Sequence, residues 1–495
     1  MISQTLWEAR NYEEVGEKQI RENERPLFHL SPRIGWMNDP NGFSWYNGLY
    51  HMFYQYHPYD TSWGPMHWGH AVSKDLLRWE YLPAVLAPDR DYDDGGCFSG
   101  SAITLPDGRQ LLMYTGVKKE YGRNAYNAKE IQTQCMAVGD GLNYEKWDGN
   151  PVLTGKDLPE GGSIYDFRDP RMWVEPDGSL RAVIGNRPAD GSGQLLLYES
   201  SDGFTWKFVS VLAENRNRFG KMWECPDYFE LDGKQVLLTS PQDMLPQGFE
   251  YHNGNGTLCL IGKHDAENHR FIEESNQSID YGIDFYAAQT VLTPDGRRVM
   301  IGWLQNWDTC LMKHPERKWF GEMSLPRELS VKNGRLYQKP VRELEQLRKE
   351  RRIYENVPLS SIETLEGVRG RMVDLTIVIR PADPDEIYNK FEIHFAAGEG
   401  VHTSLSYKPR ESVLKIDRKF SGSRRAIIHQ RRAKIPYRGG ELKLRIILDR
   451  FSAEVFVNDG EQVMSCSLFT DIKAEEISFF ADGQLFMDTE YYRLG

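Results

Sequence analysis

The chain has 495 residues, room for two or three domains, and its 40% hydrophobic and 27% charged residues are ordinary for a well-cored soluble protein. A formal net charge of −12 argues against a nucleic-acid partner and against a polybasic membrane surface, but leaves a neutral ligand such as a sugar open. Thirteen Trp and 25 Tyr suit both β-sheet cores and flat platforms for sugar rings.

Residues 1–27 read as a helical extension, with Leu6, Tyr12, Val15 and Ile20 set among many charges. This stretch has no apolar core of signal-peptide length, and no run in the chain approaches a membrane-spanning helix, so the reading is cytoplasmic. The cysteines Cys97, Cys135, Cys225, Cys259, Cys310 and Cys466 are scattered without a CxxC pair, which indicates neither a zinc site nor a disulfide framework. "HWGH" (His67, His70) has a ligand-like spacing but no third ligand, and "DYDDGGCFSG" has Ala102 where a calcium loop needs its last acid. No metal and no cofactor are expected.

From residue 28 to residue 335, strand signals take over. Asn-Gly or Asp-Gly turns between apolar runs recur at Asn47, Asp107, Asp177, Asp232 and Asp295, at intervals of 60, 70, 55 and 63 residues. Each interval has room for four short strands, so the pattern predicts a five-bladed β-propeller. "SKDLLRWEYL" and "SSDGFTWKFV" are expected as outer strands. Next, "VRELEQLRKERR" within residues 336–355 has the charge spacing of a linker helix. Residues 356–495 alternate apolar and polar residues in "LKLRIIL", "SAEVFV" and "EISFFA", which predicts a β-sandwich. The fold class is therefore all-β, a five-bladed propeller followed by a sandwich.

Eight residues before each turn Asn or Asp stand Asp39, Ser99, Asp169, Glu224 and Ala287. In equivalent blades these share one place, the start of the innermost strand at one end of the central channel. Three of the five carry carboxylates, in "WMNDPNG", "DFRDPRMW" and "WECPDYF". A lone Asp before Pro is ordinarily a turn residue. Acids gathered at a channel mouth repel one another, an arrangement that acid–base chemistry uses and structure alone would avoid. Without metal or phosphate-cradling motifs, carboxylates in an aromatic-rich site point to glycoside hydrolysis.

"WMNDPNG", "FYQYHP", "FSGSA", "FRDP", "WECPD" and "GEMSLPREL" occur in order over residues 28–335, and "LDRFSAEVFVNDG" follows near the end. Together they resemble glycoside hydrolase family 32, the invertases, sucrose-6-phosphate hydrolases and fructan hydrolases. The resemblance implies a retaining β-fructofuranosidase with Asp39 as nucleophile, Glu224 as acid/base and Asp169 as transition-state stabiliser. It further implies a fructose pocket lined by Trp36, Asn38, Gln55, Trp63, Phe98, Ser99, Arg168, Cys225, Tyr286 and Trp303. Trp223 and Cys225 would then give Glu224 a less polar setting suited to an acid.

Sucrose and sucrose 6-phosphate lead as substrates, with His57, Lys118 and Lys119 as candidates near a phosphate. His57 stands where asparagine is commoner in the family. Short fructo-oligosaccharides, fructosyl transfer and a silent fructan-binding module are the other readings. The full set of three acids argues against the silent module. The partner is a small sugar, with no nucleic acid and no membrane; the oligomeric state stays open.

Overall fold

The computed structural model describes residues 2–121, 128–311, 316–422 and 428–495. Its helix Gln4–Glu17 starts where the Ser3 hydroxyl caps the Leu6 N–H at 3.2 Å. The helix buries Leu6, Ala9, Glu13 and Gly16 on one face, while Tyr12 and Val15 remain 45% and 62% exposed. Gly16 lets the helix lie close: a Cβ there would sit 2.2 Å from Ile34 Cδ1.

Five antiparallel sheets follow, each led by an innermost strand. These are Gly35–Tyr46, Gly96–Thr104, Phe167–Val174, Trp223–Leu231 and Tyr286–Leu292, in blades 1 to 5. The two aromatic-bearing segments supply the outermost strands of blades 1 and 3, Trp79–Leu86 and Lys207–Glu214. The ring is closed by the short strand Trp319–Phe320, which pairs in parallel with Gly35 and Trp36 of blade 1. The architecture is thus the five-bladed propeller read from the turns.

Each innermost strand carries a β-bulge at the same level. The pairing slips between Met37 and Pro40, Phe98 and Gly100, Arg168 and Arg171, Glu224 and Asp227, and Tyr286 and Gln289. Asp169, Cys225 and Ala287 take positive φ there, at 64°, 48° and 55°. In blade 4 the count of eight therefore lands one residue early, on Glu224, and Cys225 occupies the equivalent place. Leu231 and Lys234 pair directly across the two-residue Asp232–Gly233 turn, whereas blades 3 and 5 turn through longer loops containing Pro-Asp-Gly.

The linker-helix expectation is corrected. Only Arg342–Leu347 is helical, as a 3₁₀ turn, and from Arg348 the chain runs as the strand Arg348–Leu359. Its charges pair across strands rather than along a helix: Arg348 bonds Asp374 at 2.8 Å and Arg351 bonds Glu490 at 2.7 Å. Leu344 and Leu347 anchor the turn in the apolar cluster beneath blade 1.

Two six-stranded antiparallel sheets form the sandwich around one continuous apolar core. A buried charge cluster joins it to the propeller. His29 places Nδ1 2.8 Å from Asp449 and Nε2 2.9 Å from Glu454, and Arg327 bonds Glu454 at 2.5 Å and Asp280 at 3.0 Å. Burial opposes a charge on His29, but the two carboxylates overcome it and push the imidazole up to about 10. Asp449 and Glu454 of "LDRFSAEVFVNDG" and Arg327 of "GEMSLPREL" thus belong to one interdomain contact.

Candidate active site

The bulges turn side chains from separate blades toward one point. Asp39 comes from blade 1; its Oδ2 accepts from the Ser99 hydroxyl of blade 2 at 2.7 Å and its Oδ1 from the Asn38 amide at 3.0 Å. The Cys225 thiol of blade 4 lies 3.4 Å from Asp39 Oδ2 and 3.7 Å from Asp169 Oδ2 of blade 3. Asp169 Oδ2 also accepts the Cys225 backbone N–H at 2.9 Å, and the Asp169 N–H donates to Thr115 at 3.0 Å. With φ positive at Cys225, its N–H and thiol both meet Asp169, and the thiol alone also reaches Asp39.

Glu224 sits on the neighbouring side of this cluster. Arg168 donates to Oε1 at 3.0 Å, and Tyr286 donates to Oε2 at 2.7 Å, sharing its proton with the Ser240 carbonyl at 2.9 Å. The expected apolar setting is not what surrounds the carboxyl. Trp223 packs its ring into the core between blades 3 and 4 and bonds the Phe219 carbonyl, while the Cys225 thiol faces the two aspartates. The carboxyl of Glu224 is held in place by a cation and a phenol instead.

Three acids this close shift one another's protonation. Burial first, then the Glu224 charge, raises Asp39 above the ordinary carboxylate range, against the bonds from Ser99, Asn38 and Cys225. Asp169 is pushed up to about 7 by burial and by Glu224, with Arg168 opposing and Asp39 adding. Arg168 is raised despite its burial, by Glu224, Asp169 and Asp166.

The sign of the stability effect follows from Asp169. Between about pH 4 and 7 the folded chain holds a proton that the unfolded chain releases, so this group's contribution falls as pH rises through that window. Asp169→Asn is therefore expected to raise the melting temperature, more at pH 8 than at pH 5. Thermal unfolding at the two pH values checks it; an equal shift at both would contradict the linkage.

The walls are aromatic. Trp36 stacks on Phe320 at 4.8 Å and lies 5.8 Å from Trp303, and Trp307 packs beside both. Trp36 donates to Asn38 Oδ1 at 2.8 Å, fixing the amide that holds Asp39. Gln55 is buried and donates to the Cys97 carbonyl at 3.0 Å. Phe98 meets Trp63 edge-on at 6.1 Å; Trp63 is 45% exposed and stands at the rim rather than in the depth of the site.

Some candidates lie elsewhere. His57 is tied to the Ser62 carbonyl at 2.8 Å beneath its own loop, and Lys118 is exposed on the hairpin of blade 2, with the Lys119 N–H bonded to Asp94. His67 and His70 are separately engaged, by the Pro65 carbonyl and by His51, so "HWGH" does not form a pair. Among the described residues no cluster of three metal-ligating side chains occurs.

Missed from the sequence were Asp166 and Gln132, which hold Arg168 at 2.9 and 3.3 Å, and the ring walls Trp307 and Phe320. Asp166 was within reach, because it stands two residues before Arg168 and strand periodicity puts both on one face.

Comparison with known proteins covers nearly the whole chain. The model "Glycosyl hydrolases family 32 N-terminal domain" matches residues 29–340, and "Glycosyl hydrolases family 32 C terminal" matches residues 343–492. The chain is 38% identical to raffinose invertase of Escherichia coli, over 94% of this chain and 95% of that protein. It is also 38% identical to sucrose-6-phosphate hydrolase of Escherichia coli, over 92% and 91% of the two chains. A Bombyx mori GH32 beta-fructofuranosidase variant in complex with sucrose superposes with a TM-score of 0.83 at 34% identity, over 100% of this chain and 99% of that one.

Proposed function

The chain belongs to glycosyl hydrolase family 32, and we propose that it is a β-fructofuranosidase hydrolysing sucrose or sucrose 6-phosphate with retention of configuration. One observation carries the mechanism: carboxylates from three blades converge on one point, held there by Cys225 and Arg168 against their mutual repulsion. Asp39 attacks the anomeric carbon of the fructosyl unit, held by Ser99 and Asn38 so that one oxygen stays directed. Glu224 protonates the departing glycosidic oxygen, then takes a proton from the water that cleaves the fructosyl ester. Asp169 accepts bonds from fructose hydroxyls and offsets the positive charge of the oxocarbenium-like transition state.

Invertase and sucrose-6-phosphate hydrolase relatives of nearly full length support the substrate class. The cytoplasm is the proposed compartment, in keeping with six buried cysteines that form no disulfide. No helix among the described residues is long and apolar enough to cross a membrane.

The test is kcat/KM for sucrose, sucrose 6-phosphate and 1-kestose, with the anomer of the first-released fructose read by NMR. Release of β-fructose from sucrose or its phosphate, with kestose the poorer substrate, is expected. First release of the α-anomer would overturn the assignment of Asp39 as nucleophile.

A further inference from the structure

A second aromatic surface lies beside the mouth and takes no part in the chemistry above. The N-terminal helix and the rim of blade 1 enclose an open pocket of about 350 Å³, lined by Tyr12, Gln19, Pro58, Tyr59, Thr61 and Lys318 among others. That volume is at the lower end of the range for small-ligand sites, about 300–1,000 Å³. Tyr12 and Tyr59 meet edge to face at 5.1 Å and stay 45% and 39% exposed, each leaving ring surface open to solvent. Aromatic rings left half exposed against a rigid wall carry an apolar area that costs free energy unless something covers it.

The surrounding chemistry names the occupant. Gln19 and Lys318, both in the lining, are bonded to each other, and Asp60 and Thr61 belong to the same lining. Flat apolar faces ringed by amide, hydroxyl, ammonium and carboxylate groups suit a sugar, whose ring faces are apolar and whose edge is hydroxyls. Both signs of charge are present on the lining, which favours a neutral ligand over an anion.

The pocket adjoins the start of the blade 1 strand that carries Trp36 and Asp39. Its floor includes Gly35, next to Trp36, and the Gly35 N–H is bonded to the Lys318 carbonyl at 2.9 Å. Tyr59 lies 5.9 Å from His57, and the loop that carries both ends in Trp63 at the edge of Phe98. One loop thus carries both Tyr59, which faces the helix, and Trp63, which stands at the edge of Phe98. We propose that Tyr12 and Tyr59 form a saccharide platform that holds the outer units of an oligosaccharide whose terminal fructose occupies the active site, an inference that rests on the β-fructosidase reading.

The experiment compares sucrose with a β-2,1-linked fructo-oligosaccharide of five units in Tyr12→Ala, Tyr59→Ala and Tyr59→Phe. Each alanine variant is expected to raise KM for the pentasaccharide about tenfold with kcat unchanged, the size of effect a lost ring contact gives. Sucrose kcat/KM should stay within twofold, and Tyr59→Phe, which keeps the ring, should behave as the parent. Titration calorimetry of the pentasaccharide with Asp39→Asn protein, with and without Tyr59→Ala, reads the same contact without turnover. Pentasaccharide affinity and KM unmoved by the alanines, or sucrose and pentasaccharide KM moving together, would overturn the platform. A parent protein that cleaves no sucrose would sink the functional reading instead, and calorimetry would still decide the platform.

Discussion

Asp39→Asn is expected to lower kcat on sucrose by about four orders of magnitude or more while the protein remains folded. The amide keeps the shape of the carboxylate: its oxygen still accepts from Asn38, and its NH2 donates to the Ser99 hydroxyl, which can accept as well as donate, so the pocket stays built. What is lost is the nucleophile: a neutral amide oxygen cannot supply the charge that forms the fructosyl ester. The fold should gain from the change, since Asp39 is buried beside Glu224 and burial and that charge both resist its ionisation. A melting temperature equal to or above the parent's, together with collapse of kcat, is the predicted pair of results. Steady-state kinetics and thermal unfolding measure both, and near-parental turnover would remove Asp39 from the mechanism.

Glu224→Gln is the second large effect and has a different signature. Its removal takes away the proton donor for the first step and the base for the second. On sucrose both steps suffer, and kcat is expected to fall about a thousandfold or more. A substrate whose leaving group departs without a proton, such as an aryl β-fructofuranoside, spares the first step. The covalent intermediate then accumulates, and azide, which needs no base, should restore turnover and yield fructosyl azide. Arg168 and Tyr286 are left facing the amide, which accepts from them through one oxygen only. The measurement is turnover of the aryl fructoside with and without azide; no rescue and no fructosyl azide would mean that Glu224 does not serve as the base.

The innermost strands were legible because turn residues mark hairpin tips, and strands of similar length carry that mark back to the mouth. The same reasoning failed by one residue in blade 4, where a two-residue turn shortens the hairpin; in blade 1 the same kind of turn is offset by a second bulge between Asn41 and Ser44. A residue's place in a bulge depends on its partner strand, which no local pattern reveals, so Cys225 could be placed near the acids but not between them. The charges from Arg342 to Arg352 fit a helix and a strand equally well. Only Asp374 and Glu490, far along the chain, decided for the strand. Phe320 escaped because it comes from a segment between the second and third strands of the last blade, outside the repeat that located the other walls. The motif acids Asp449 and Glu454 were visible as a pattern, but their partners His29 and Arg327 lie more than a hundred residues away.

The strand Trp319–Phe320 fastens the last blade to the first, and the same two residues bring Phe320 onto Trp36. Locking the circle and completing the sugar's binding wall are therefore a single event. A chain with four blades seated and the seam unfastened would present its acids around a gap, so catalytic competence reports the topological completion of the whole toroid. Circular permutants whose new ends fall in peripheral hairpins preserve that seam, whereas a cut between Trp303 and Arg327 leaves the clasp tethered to its blade on one side only.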